Sequence, residues 1–149
     1  PNQLKAKNTG RLKANGRLII QGTSSNDIVF TSINGANPAK GDWYGLWIEN
    51  GYLKMNGATI KYAGENVFGG ASAGLVLENS TAIIENSAFE NNKNSAIYMS
   101  GSNLTLNTVS FIGNDTALSS PDWPTGSAIT SSNLTFQGNS ATSSPIGIF

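Results

Sequence analysis

The chain has no cysteine and no histidine among its 149 residues. Those two absences exclude disulfide scaffolds, Cys/His zinc sites, cysteine nucleophiles and any Ser-His-Asp triad. Charge is scarce as well: 12% of residues are charged, nine basic against nine acidic. That balance leaves no electrostatic footprint for nucleic acid or an anionic membrane. No run approaches the roughly 18 apolar residues that a membrane-spanning helix needs. Small polar residues fill the gap: 19 Asn, 18 Ser, 17 Gly and 12 Thr. Such residues favour turns and extended backbone over helix.

What is present is a patterned 38% of hydrophobic residues. They come in short alternating bursts: Leu18-x-Ile20, Ile28-x-Phe30, Leu46-x-Ile48, Leu53-x-Met55, Leu75-x-Leu77, Leu104-x-Leu106 and Leu134-x-Phe136. Period two over a few residues predicts strands, with Asn/Gly/Ser turns between them.

The bursts repeat at intervals of about 20–30 residues, the signature of a solenoid. Gly45-Leu46-Trp47-Ile48-Glu49-Asn50 aligns with Gly74-Leu75-Val76-Leu77-Glu78-Asn79, and Gly113-Asn114 with Gly138-Asn139. Stacking the repeats predicts three apolar rows. One holds Leu46, Leu75, Ile97, Leu118 and Ile148; a second Leu53, Ala82, Leu104 and Ile129; a third Phe30, Ile60, Phe89, Phe111 and Phe136. Asn92, Asn114 and Asn139, each three residues after its Phe, form a turn row. There asparagine is expected to take the left-handed conformation and to hydrogen-bond from coil to coil. The fold expected is all-β: a right-handed parallel β-helix of five to six coils of three short strands, one domain over 1–149. Insertions are expected at Thr31–Tyr44, Ala63–Ala73 and Pro121–Gly126. Without capping segments at either end, the chain is expected to be a piece of a longer solenoid or an assembling subunit.

The stretch Gly16-Arg17-Leu18-Ile19-Ile20-Gln21-Gly22, then Asp27-Ile28-Val29-Phe30-Thr31-Ser32, then Gly41-Asp42-Trp43-Tyr44-Gly45-Leu46 resembles the right-handed parallel β-helix repeat proteins of the pectin-lyase-like superfamily. The resemblance covers essentially the whole chain. It implies a large secreted or cell-surface protein, and a fold that hosts lyases, hydrolases, adhesins and stalks alike.

Two constellations stand out. Glu49 and Glu78 share a row on adjacent coils. They are read as a solvated pair, a weak calcium site, or, least of all, part of a catalytic carboxylate pair. Outward aromatics form the other: Trp47 and Tyr98 in one row, with Trp43, Tyr44 and Trp123 from the insertions. Flat rings beside Asn, Ser and Thr suit the apolar faces of sugars, unless the insertions fold back and bury them. The expected function is a non-catalytic extracellular stalk or adhesin module without a cofactor, binding carbohydrate or a surface partner. A polysaccharide lyase or hydrolase fragment, and a subunit that self-associates end to end, are the alternatives.

Overall fold

The computed structural model describes residues 2–6, 10–65, 70–122 and 125–144, the side chains of 142–144 excepted. Among these residues every regular element is a strand, and every strand pairing is parallel. The chain is a parallel β-solenoid of about five turns. One face is a six-stranded sheet: β2 (Arg11–Ala14), β5 (Gly45–Glu49), β8 (Ala73–Glu78), β10 (Ser95–Ser100), β12 (Thr116–Ser119) and β14 (Ala141–Ser144). A second face carries β3 (Arg17–Gln21) and β6 (Tyr52–Asn56), and the third β1 (Asn2–Ala6), β4 (Ile28–Ser32) and β7 (Ala58–Lys61). In the later coils one strand spans both of these faces: β9 (Thr81–Glu90), β11 (Asn103–Ile112) and β13 (Ala128–Gln137). The strands on either side of the three expected insertions stay in register with their neighbours.

Each corner has a row of left-handed residues. After the first face these are Asn50, Asn79 and Gly101; after the second, Gly57, Asn86, Thr108 and Asn133; after the third, Tyr62, Asn91, Gly113 and Gly138. A parallel coil must turn sharply at the same height on every lap, and one left-handed residue makes that turn. Asn and Gly adopt it most readily. The left-handed position therefore precedes the asparagine row: it falls on Asn91, Gly113 and Gly138, not on Asn92, Asn114 and Asn139.

Those three asparagines point inward and form a ladder. Asn92 Nδ2 donates to Asn114 Oδ1 at 2.9 Å, and Asn114 Nδ2 to Asn139 Oδ1 at 2.9 Å. Each amide also binds the backbone of a neighbouring coil. A second ladder, of Ser80, Ser102 and Ser127, runs along the first corner. The Ser80 N–H donates to Ser102 Oγ at 3.0 Å, and the Ser102 N–H to Ser127 Oγ at 3.2 Å. All three serines are buried, and their bonds satisfy corner groups that the sheets leave unpaired.

Between the corners lie the apolar rows. Phe89 stacks on Phe111 with ring centroids 5.5 Å apart, and Phe111 on Phe136 at 5.3 Å. That column of near-parallel rings follows from the rung spacing of roughly 4.8 Å. Leu46, Leu75, Ile97 and Leu118 form the row of the first face. Its next member is Ser143, which pairs with Leu118. Ile148, expected there, lies outside the described residues; the last lap is shorter than the alignment assumed.

Candidate functional site

The outward side of the first face carries two of the expected aromatics. Strand alternation puts Lys13, Trp47, Val76, Tyr98 and Ser119 in one row across five rungs. Trp47 and Tyr98 are half-buried, and Val76 between them is 1% exposed. Two rungs place their backbones roughly 9.6 Å apart, near the length of an extended disaccharide. The Trp47 Nε1–H donates to Glu78 Oε2 at 3.2 Å, which fixes the indole against the rung above. On its other side the Arg11 guanidinium lies 5.1 Å from the ring centroid. Cation–π attraction of this kind holds both groups in place. Arg11 lies far from Trp47 in sequence, and the pairing of β2 with β5 brings it alongside.

The other aromatics differ. Trp43 is fully buried, its Nε1–H donating to the Lys61 carbonyl at 2.8 Å. The insertion folds back so that Trp43 forms a parallel bridge with Ala63, which places the indole in the core. It is therefore a packing residue and not part of an exposed platform. Tyr44 is half-buried with its hydroxyl oxygen enclosed, so its polar edge is not offered to a ligand. Trp123 lies outside the described residues.

Glu49 and Glu78 are direct partners across β5 and β8. Lys13 forms an ion pair with Glu49, and Asn15 Nδ2 donates to it at 3.2 Å. The Lys13 bond and charge hold the Glu49 carboxyl below its usual range. The Glu49 carboxylate is thus already engaged by an ammonium from the neighbouring rung. Among the described residues no group of three or more acidic, His or Cys side chains is arranged to hold a metal. Tyr98, flanked by the same acidic row, is pushed up by burial and by the charges of Glu78 and Asp122.

All four aspartates brace loops. Asp27 accepts from Thr23 and Ser24, whose hydrogen bonds push it far below the ordinary value. Asp42 accepts from Ser32 Oγ at 2.6 Å and the Ala39 N–H at 3.0 Å, ordering the first insertion. Asp115 pairs with Lys40 at 2.7 Å and accepts from the Asn94 N–H. Asp122 accepts from the Gly101 N–H at 2.5 Å, Ser120 Oγ at 2.7 Å and Ser127 Oγ at 2.8 Å. At Asp42, Asp115 and Asp122 burial opposes the charge, yet these bonds outweigh it and keep each carboxyl low. Carboxylates so engaged are poor proton donors at neutral pH.

Comparison with protein-family models, curated proteins and solved structures finds no match. The residues and their geometry carry the functional reading.

Proposed function

We propose that this chain is a non-catalytic β-solenoid module of an extracellular or cell-surface protein of the pectin-lyase-like kind, and that it holds carbohydrate against the rings of Trp47 and Tyr98. The observation that carries the reading is two outward aromatics in one row, two rungs apart, with Arg11 and Glu78 against the first of them. The apolar face of one sugar rests on each ring, while the Arg11 guanidinium and Glu78 carboxylate at the rim hydrogen-bond hydroxyls. The engagement of all four aspartates in loop bracing, and of Glu49 with Lys13, favours binding over a glycosidase or lyase.

Binding to an array of neutral and charged polysaccharides, followed by tryptophan fluorescence and by depletion on insoluble polymers, tests this. A Trp47→Ala/Tyr98→Ala variant should lose at least tenfold in affinity while keeping its strand-rich spectrum. Undiminished binding by that variant, or release of reducing ends from any polymer in the array, would overturn the reading.

A further inference from the structure

A second surface, on the third face, has a different character. Its outward row runs Lys5, Thr31, Lys61. Lys5 pairs with Thr31 across β1 and β4, and β4 and β7 stay in register to Phe30 and Ile60, so Lys61 follows Thr31. The first insertion overhangs this row and closes a groove of about 280 Å³, lined by Lys5, Lys61, Thr31, Ser32 and Tyr62 together with Gln3, Gly35 and Pro38. No acidic residue lines it. Among the described residues the ion pairs involve Lys13, Lys40 and Lys93, and neither Lys5 nor Lys61. Lys61 stands opposite Glu90 in the register, yet its ammonium lies over the Tyr62 ring, 5.8 Å from the centroid. Asp42, behind Ser32, is already occupied by Ser32 Oγ and the Ala39 N–H.

Tyr62 is the second observation. Its φ is +59°, whereas the same corner position in the following coils is held by Asn91, Gly113 and Gly138. A bulky side chain in the left-handed region is an outlier that persists only where something compensates for it, and such outliers gather at binding sites. Here the outlier sets an aromatic ring beside two lysines in the groove.

We propose that this groove binds a sulfate or phosphate group carried on a sugar, with Lys5 and Lys61 taking the oxyanion and Tyr62 taking the sugar ring. Thr31 contributes a hydroxyl at the floor. The two ammonium groups sit on backbones roughly 9.6 Å apart and converge on one anion through their flexible stems. The site lies on a different face from Trp47 and Tyr98 and stands or falls independently of them.

Amide-resolved NMR titration tests it at constant ionic strength, with four probes: sodium sulfate, sodium phosphate, dextran sulfate and unmodified dextran. Shifts are expected at Lys5, Thr31, Lys61 and Tyr62 with dextran sulfate and not with dextran. Saturation by free sulfate or phosphate alone at similar concentration would make the source a free ion and overturn the sugar-borne assignment. Lys5→Gln/Lys61→Gln should weaken dextran sulfate binding at least tenfold. The charge-matched pair Arg17→Gln/Lys54→Gln, on the second face, should change it less than twofold. Tyr62→Asn should raise Tm by about 2–4 °C through relief of the left-handed tyrosine, and weaken binding at the same time. Equal losses in the two lysine and arginine pairs, or unchanged affinity in Tyr62→Asn, would overturn the proposal.

Discussion

The Asn114 side chain joins three coils at once. Its Nδ2–H donates to Asn139 Oδ1 at 2.9 Å and to the Phe89 carbonyl at 2.9 Å, while its Oδ1 accepts from the Asn92 N–H at 3.0 Å and Asn92 Nδ2 at 2.9 Å. The residue is fully buried. Truncation to alanine leaves donors and acceptors in neighbouring coils unpaired, each at a cost of about 1–3 kcal/mol. Asn114→Ala should therefore destabilise by about 3–5 kcal/mol in urea unfolding, a large share of a typical domain's stability. Asn139→Ala, one rung nearer the end of the ladder and partly exposed, should cost less. Equal small losses at both positions would show that the ladder is incidental.

Thr108 presents the opposite case. It is exposed and left-handed, with φ +55°, between Asn86 and Asn133 at the same corner. A β-branched residue there carries a backbone penalty of about 1–2 kcal/mol. Its hydroxyl makes one bond, to Asn107 Oδ1 at 3.2 Å. Thr108→Asn should stabilise the chain by about 1 kcal/mol, and Thr108→Gly by less, because glycine adds unfolded-state entropy. A fall in the urea midpoint for Thr108→Asn would contradict this reading of the corner.

How much of this was legible from sequence divides along physical lines. The rows Phe89–Phe111–Phe136 and Leu46–Leu75–Ile97–Leu118 could be read because apolar residues must point inward on every lap. The position of the asparagine row was readable from its fixed distance after each Phe. Its conformation was not, since Asn serves both as a left-handed residue and as a ladder residue, and the two roles fall on neighbours at Asn91 and Asn92. The Ser80–Ser102–Ser127 ladder was missed because its serines look the same as the many on the surface. Trp43 and Trp47 are four residues apart, yet one is core and the other outward. Only the docking of the insertion decides between them, and no period records it. Arg11 meets Trp47 through the winding, which sets residues distant in sequence side by side on neighbouring rungs.

Gly64 marks where two coils touch backbone to backbone. Its φ is +96°, and a Cβ there would run into the Lys93 carbonyl oxygen. Its own carbonyl accepts from Ser72 Oγ at 2.6 Å and Asn94 Nδ2 at 3.0 Å, so the strand cannot simply move away. Gly64→Ala should destabilise by about 2–3 kcal/mol, combining a left-handed penalty with overpacking. Gly16→Ala is the control: nothing lies within 4 Å of the added carbon. That substitution should be neutral or stabilise by up to about 1 kcal/mol. Equal effects at the two positions would argue against close approach of the coils at Gly64.

The aspartates set the response to acid. At Asp42, Asp115 and Asp122 the folded-state value lies below the ordinary 3.8. At Asp27 the lowering is larger still. A carboxyl whose value is depressed by folding contributes stability above the unfolded value, and that contribution fades as pH falls through the folded one. Stability should therefore hold level from neutrality to about pH 5 and decline below about pH 4. With no histidine in the chain, no side chain of ordinary pKa titrates between about pH 5 and 8 to tilt that plateau. Asp42→Asn keeps an acceptor for Ser32 Oγ and the Ala39 N–H but removes the charge that strengthens both bonds. The variant should be less stable at pH 7, and its loss between pH 4 and 2.5 should be smaller than that of the parent. Urea midpoints at pH 7, 5, 3.5 and 2.5 measure both curves. Parallel curves would remove Asp42 from the acid response, and a midpoint that changes between pH 6 and 8 would point to a titrating group other than these carboxylates.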